Sequence, residues 1–276
     1  MPATMPTGCL VNGVATTQLT VQDRGLAYGD GLFETMRVVD GRLPLADYHF
    51  ARLELGALRL RMPADIALIR AETEQLARCG GDGVIKLILT RGPSQRGYAP
   101  PVNPDYTRIL LSSAAPDYPP EQARDGISLF PCVTRLAIQP LLAGIKHLNR
   151  LEQVLARAEW QGNTFAEGLV RDWQGRVIEC TMSNLFVRLG SAWVTPSLEE
   201  CGVQGVMRDF LIDRLAETGT MVEQRTLSLE ELYTGSEVFC CNSMFGVWPV
   251  VSLGEKRWEI GPHTRVVQAI AAQVYT

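Results

Sequence analysis

No stretch of this chain is apolar for long enough to cross a bilayer, and no basic segment followed by an apolar core stands at its start. A spanning helix needs about 20 apolar residues, so neither a membrane protein nor a secreted precursor is expected. Positive charge is not in excess either: 26 Lys and Arg face 30 Asp and Glu, a formal charge of −4. Nucleic-acid binding, which needs a basic face, is not expected. Histidine is scarce. His49, His147 and His263 share no metal-ligand spacing, and no metal site is expected. The seven cysteines (Cys9, Cys79, Cys132, Cys180, Cys201, Cys240, Cys241) are odd in number, scattered, and form no CxxC pair. Reduced core thiols in a cytoplasmic protein are the expectation. There is no internal repeat and no low-complexity segment. Residues 1–7, with two prolines, read as an unstructured leader, and Met5 could equally be the start.

What is present is ordinary for a globular enzyme-sized chain: 276 residues, 46% hydrophobic and 20% charged. That length supports one large domain or two smaller ones. Asp117-Tyr118-Pro119-Pro120-Glu121-Gln122 is polar, proline-paired and without periodicity, and marks the best boundary. The division is an α/β domain over residues 8–117, a linker over 118–125 and a second domain over 126–276.

Within the first part, Asn12-Gly13 predicts a turn between two short strands, and Leu32–Val39 a strand ended by Asp40-Gly41. Asp47 is placed as the cap of a helix carrying Phe50, Leu53 and Leu58, with a second helix over 64–79. Strands follow at 84–90 and 108–113. Between them lies a long loop, 91–101, with Arg91, Arg96, Tyr98 and rigid prolines, whose two arginines suggest an anion. In the second part a strand is expected at 127–136. Four short strands, at 167–172, 177–180, 184–188 and 192–195, read as an antiparallel meander. Gly205 runs straight into a helix over 206–218, an arrangement that offers free N–H groups to an anion. A buried strand at 237–243 ends in Asn242 and Ser243, where a hydroxyl could meet a ligand, and a helix closes the chain at 263–274.

The most informative stretch is Leu141-Leu142-Ala143-Gly144-Ile145-Lys146-His147-Leu148-Asn149-Arg150. From Leu148, the residues Leu151, Val154, Leu155 and Ala158 recur at helical spacing, which predicts an amphipathic helix from just behind Lys146 to Gln161. A lysine at such a boundary has two readings. Its stem lies along the core while the ammonium reaches water, or it is a desolvated amine of the kind imine formation needs. A pyridoxal-phosphate enzyme needs such a lysine, an acid for the pyridine nitrogen, an anion cradle and a donor or base aimed at substrate. Lys146, Glu179, the 205–207 helix start with Arg52 and Ser243, and Thr35 are candidates. Spacing alone selects none of them.

Their order and local context do more. Tyr28-Gly29-Asp30-Gly31-Leu32-Phe33-Glu34-Thr35-Met36-Arg37, Arg52-Leu53, Lys146, Glu179, Asn184-Leu185-Phe186, Gly205-Val206-Met207-Arg208 and Glu237-Val238-Phe239 together resemble the fold-type IV pyridoxal-phosphate enzymes. That family holds branched-chain and D-amino-acid aminotransferases and the 4-amino-4-deoxychorismate lyases. The resemblance runs from about Leu10 to the C-terminal helix. It is strongest toward the lyases, through Gly144–Val154, through Arg91-Gly92 with Arg96-Gly97-Tyr98, and through Thr35, where branched-chain aminotransferases have glycine. It implies an α/β (α+β) fold of two domains, the smaller N-terminal, with pyridoxal 5'-phosphate between them. Lys146 is implied as the Schiff-base residue and Thr35 as a proton donor or water-positioning group. Glu179 is implied at the pyridine nitrogen, with cofactor contacts from Arg52, Asn184, Val206, Met207 and Ser243. Arg96, Tyr98, Tyr28 and Asn242 are implied as contacts to the substrate, 4-amino-4-deoxychorismate, and a homodimer as the assembly. An aminotransferase, or a relative that kept the fold without catalysis, are the alternatives.

Overall fold

A computed structural model describes residues 8–276; the expected leader, 1–7, lies outside the described residues. The chain resolves into two compact units. Unit 1 takes the residues up to Pro116 together with Ile145–Asn149, and unit 2 takes Asp117–Gly144 and Arg150–Thr276. Both combine sheet with helices, the two-domain α/β class that the sequence predicts. Among the described residues no helix is long and apolar enough to cross a membrane, all seven cysteines are free thiols, and no group of three metal-ligating side chains is found.

Unit 1 is built from β1 (Gly8–Val11), β2 (Val14–Ala15), α1 (Arg24–Tyr28), β3 (Gly31–Val38), α2 (Ala46–Arg59), α3 (Ile66–Cys79), β4 (Gly83–Thr90) and β5 (Thr107–Ser113). The strands form one antiparallel sheet in the order β2-β1-β5-β4-β3. Asn12 and Gly13 both adopt positive φ at the predicted turn. Helices α2 and α3 pack on the sheet because both are amphipathic; α2 buries His49, Phe50, Leu53, Gly56 and Ala57 at helical spacing. Gly56 lets the helix approach closely, since a Cβ would stand 2.9 Å from the Leu32 methyls of β3 and would make them shift. Asp47 does not cap α2. The N-cap is Leu45, with no side-chain hydrogen bond, and Asp47 lies inside the first turn.

Unit 2 holds α4 (Pro120–Arg124), β6 (Ile127–Leu136), α5 (Leu151–Arg157), β7 (Glu167–Asp172), β8 (Val177–Cys180), β9 (Asn184–Leu189), β10 (Ala192–Pro196), α6 (Val206–Glu217), β11 (Val222–Arg225), α7 (Leu229–Thr234), β12 (Glu237–Asn242), β13 (Gly246–Leu253), β14 (Lys256–Arg257) and α8 (Pro262–Ala272). The sheet order is β11-β10-β9-β12-β13-β6-β7-β8, with β14 on β13. The expected meander is therefore two separate hairpins: β8 ends the ladder, while β9 pairs with β12. Strand β13 has no counterpart among the expected elements; Pro249 lies in its middle, where a residue without an N–H ordinarily argues against a central strand. Leu129, Leu185, Val187, Val238, Cys240 and Trp248 pack into one core cluster. Phe186 and Phe239, of opposite parity, stack at 4.8 Å with Trp193 edge-on.

Helix α5 departs most from expectation. It begins at Leu151 rather than at Leu148, and Leu151, Val154 and Leu155 are exposed, not inward. Its only buried residue is Ala156.

Candidate active site

In unit 1 the segment Ile145–Asn149 runs beside the start of β3. Phe33 N–H donates to the Lys146 carbonyl at 2.9 Å, Leu148 N–H donates to the Gly31 carbonyl at 3.0 Å, and Leu32 bridges antiparallel to His147. The two-residue period of β3 then sorts its side chains. Leu32, Glu34, Met36 and Val38 are buried, while Phe33, Thr35 and Arg37 alternate with them at intermediate exposure. Lys146 Nζ lies 4.5 Å from the Phe33 ring centroid, a cation–π contact on the order of 1 kcal/mol. A second amine, Lys86 Nζ, lies 5.4 Å from the same ring, and Lys86 is the register partner of Thr35. Lys146, Thr35 and Lys86 thus gather about Phe33. Lys86 is exposed within an otherwise aliphatic strand and has no ion pair among the described residues.

On the buried face of β3, Glu34 takes two hydrogen bonds from Arg52, Nε to Oε1 at 2.8 Å and Nη2 to Oε2 at 2.5 Å. His49 Nδ1 meets Glu34 Oε2 at 2.6 Å. Burial would raise the Glu34 carboxyl, but the Arg52 charge and the His49 hydrogen bond outweigh it and hold the group at about 2. Burial lowers His49, so the neutral ring donates from Nδ1. Its Nε2 is buried without a hydrogen-bond partner. Arg52 is therefore a guanidinium fixed on one edge by a carboxylate that stays ionised.

Of the two arginines in the 91–101 loop, Arg91 is committed to the fold. Its Nε donates to Asp30 Oδ2 at 2.8 Å, Nη1 to the Arg61 carbonyl at 3.1 Å and Nη2 to the Leu60 carbonyl at 2.8 Å. Arg96 is exposed and makes no hydrogen bond or ion pair among the described residues. Tyr98 is exposed beside it, its ring 5.4 Å from that of Tyr28.

Unit 2 shapes a different set of groups around Gly202–Gly205. Gly144, at φ 78°, donates to the Gly202 carbonyl at 3.0 Å and accepts from Gln204 N–H at 2.9 Å. Glu179 Oε2 accepts from Val203 N–H at 2.8 Å, and its Oε1 from Gln153 Nε2 at 3.4 Å. Asn184 Nδ2 donates to the Val203 carbonyl at 2.9 Å. A Cβ on Gly205 would fall 2.0 Å from Asn184 Oδ1, so only glycine fits there. As N-cap of α6, Gly205 brings no side-chain acceptor, and the Val206 and Met207 amides at the positive end of the helix lack a side-chain cap. Arg208 is not available to a ligand; it is buried and donates to Thr195, Pro196 and Gln224. Asn242 is also engaged, its Nδ2 with the Met182 carbonyl and its Oδ1 with Met244 and Phe245 N–H. Ser243 is half-buried on the same turn, and its carbonyl accepts from Tyr275 Oη at 3.0 Å.

Sequence reasoning missed Glu167. It is fully buried and accepts from Thr181 Oγ1 at 3.1 Å and Met182 N–H at 3.2 Å, in the turn that separates Glu179 from Asn184. Burial pushes its carboxyl up to about 8, helped by the Glu179 charge and opposed by the Thr181 and Met182 hydrogen bonds. A carboxyl that keeps its proton when folded but sheds it when unfolded makes stability fall as pH rises from its ordinary 4.5 to about 8, and level off above. Glu167→Gln is expected to flatten this slope. Melting temperatures of the two proteins from pH 5 to 9 check it: the variant should gain on the wild type toward pH 8, and parallel curves would refute it.

An amine, an acceptor carboxylate, an uncapped helix start beside a glycine-only approach, and a pinned guanidinium are the donor set that an aldehyde cofactor with a ring nitrogen and a phosphate requires. The residues fit pyridoxal phosphate.

Comparison with known proteins agrees. Residues 31–253 match the amino-transferase class IV family. The chain is 38% identical to the aminodeoxychorismate lyase of Vibrio harveyi, over 94% of this chain and 97% of that one. The crystal structure of 4-amino-4-deoxychorismate lyase from Pseudomonas aeruginosa superposes with a TM-score of 0.93 at 51% identity, covering 95% of this chain and 97% of that one. The branched-chain amino acid aminotransferase of Escherichia coli shares the fold, with a TM-score of 0.86 at 24% identity over 99% of this chain and 95% of that one.

Proposed function

The chain belongs to the amino-transferase class IV family, and we propose that within it the protein is a pyridoxal-phosphate-dependent lyase that splits 4-amino-4-deoxychorismate into pyruvate and 4-aminobenzoate, a step toward folate. The observation that carries the reading is the cluster of Lys146, Thr35 and Lys86 about Phe33, in a chain closely similar to two such lyases along nearly its whole length.

When bound, the cofactor supplies an aldehyde that reacts with amines and a protonated ring that draws electrons from the neighbouring carbon. Lys146 would hold the aldehyde and Glu179 the ring nitrogen. The Val206 and Met207 amides, Arg52 and Ser243 would hold the phosphate, with Asn184 supporting the Gly205 turn. Lys146, once its amine is free, takes the proton from C4 of the substrate. Thr35, on the same face of β3, gives a proton to the enolpyruvyl oxygen as it leaves C3; a glycine there could not. The released enol becomes pyruvate by taking a proton at carbon and losing its hydroxyl proton, so the single proton taken from C4 balances the reaction and no water or oxidant is consumed. Lys86 and Arg96 are exposed cations of unit 1 without an ion pair among the described residues, and the substrate carries two carboxylates. Each cation binds one, with Tyr98 and Tyr28 against the ring. Asn242 would have to release a turn contact to reach substrate, so its role is to hold the turn under Ser243.

Incubation of the holoenzyme with 4-amino-4-deoxychorismate, with assay of both products, tests the reading. A parallel tube with a branched-chain amino acid and 2-oxoglutarate tests transamination, and product only in that tube would reverse the assignment. Lys86→Met is expected to raise KM for the substrate by roughly tenfold or more with a smaller change in kcat, the scale of one lost charge-assisted contact. An unchanged KM in initial-rate assays would remove Lys86 from the site.

The protein is a homodimer in the cytoplasm. Support for the dimer comes from Leu151, Val154 and Leu155, large apolar side chains exposed along the one short helix α5, of the sort that a protein interface covers. Support for the compartment comes from seven unbridged thiols.

A further inference from the structure

Arg24 lies in the short helix α1, immediately behind its N-cap Asp23, and is only 4% exposed. Every one of its side-chain nitrogens is spent inside unit 1. Nε donates to Asp30 Oδ2 at 2.8 Å. Nη1 reaches Ser94 Oγ at 3.2 Å, the Gly97 carbonyl at 3.0 Å and the Ala99 carbonyl at 3.4 Å, and Nη2 reaches the Tyr98 carbonyl at 3.0 Å. Its guanidinium also lies 4.8 Å from the Tyr28 ring, and the Tyr28 hydroxyl accepts from Gly97 N–H at 3.3 Å. Asp30 is shared with Arg91, so one carboxylate anchors both the buried arginine and the root of the loop.

The consequence is local and specific. Three consecutive carbonyls, of residues 97–99, are gathered onto one planar cation, immediately after the exposed Arg96. Residues 94–99, which lie outside helix and strand and include Gly97, would otherwise sample many conformations, at a cost in entropy whenever Arg96 engaged a ligand. We propose that Arg24 is the positioning residue that presets the 94–99 loop so that Arg96 and Tyr98 meet the substrate carboxylate already arranged. This rests on the substrate role given to Arg96 above. Lysine cannot replace it, because an ammonium is a point charge and cannot span Asp30 and the carbonyl row at once.

Arg24→Lys in the holoenzyme tests the proposal. The expected results are a KM for 4-amino-4-deoxychorismate raised roughly tenfold with kcat within about twofold, unchanged affinity for pyridoxal phosphate by absorbance titration, and faster tryptic cleavage after Arg96. Combined with Arg96→Ala, the variant should lose less kcat/KM than the sum of the two single losses, since a positioning residue acts through its clients and only Tyr98 remains. Tyr28→Phe removes the Gly97 contact without touching the buried cation and should move KM and cleavage the same way, by less. Wild-type KM and cleavage rate in Arg24→Lys would overturn the proposal, as would losses that add in full with Arg96→Ala. If the wild-type enzyme released no 4-aminobenzoate, the lyase reading would fall, while the cleavage assay would still decide whether Arg24 holds the loop.

Discussion

Lys146→Ala is expected to lose at least about 10⁴-fold in turnover, because the residue is both the cofactor's attachment and the base that moves the C4 proton, and groups with two roles do not substitute for one another. The fold should survive. The segment is held through backbone, by Phe33 N–H on the Lys146 carbonyl and by the Gly31–Leu148 hydrogen bond, contacts that do not depend on the side chain. A melting temperature near wild type together with absent product and absent visible absorption from added pyridoxal phosphate is therefore the predicted combination. Borohydride reduction of the wild-type holoenzyme should place the pyridoxyl label on the peptide carrying Lys146. A label on Lys86 instead would exchange the roles of the two amines around Phe33.

The second large effect is at Glu179. Its Oε2 holds Val203 N–H at 2.8 Å and its neighbour across the turn, Gly202, at φ 83°, leaves room that a Cβ would fill 3.3 Å from the same oxygen. Glu179→Gln keeps an acceptor for Val203 but removes the negative charge that holds a proton on the cofactor ring. A loss of roughly 10²–10³-fold in kcat is expected from removing one such electrostatic contact, with little change in stability. Glu179→Ala should cost the same in rate and also weaken cofactor binding, since Val203 N–H loses its partner. The pair separates charge from scaffold: kcat for Glu179→Gln equal to wild type would show that the carboxylate serves only the Val203 turn.

Both predictions depend on residues whose places were legible in different degrees. Thr35 and Lys146 were read as candidates from local context, and the period of β3 was visible in Leu32–Val39. Glu34 was not read as a site residue, although it sits between Phe33 and Thr35. Nothing in a single sequence says that a glutamate on a strand will face inward against Arg52 and His49. Lys86 escaped for the opposite reason. One lysine in a run of aliphatics reads as a solvent-facing interruption, and only its register opposite Thr35 shows what it lies beside. The amphipathic pattern of α5 was real but was assigned to the wrong surroundings, because periodicity reports a stripe and not what covers it.

The sequence by itself determined the elements and their chemistry. Alternation made β3 to β5, helical spacing made α2 and α3, positive-φ glycines set the turns, and the ordered set of motifs pointed to the family. Tertiary structure decided which of these groups act together. It split the presumed meander between distant places in one sheet, sent residues 145–149 back to the first unit, spent Arg24, Arg91 and Arg208 on the protein's own carbonyls and left Arg96 and Lys86 without an ion pair among the described residues. The physical reason is range. Propensity and turn preference act over a few residues, whereas strand pairing, burial and the competition of acceptors for a guanidinium are settled between residues far apart in the chain.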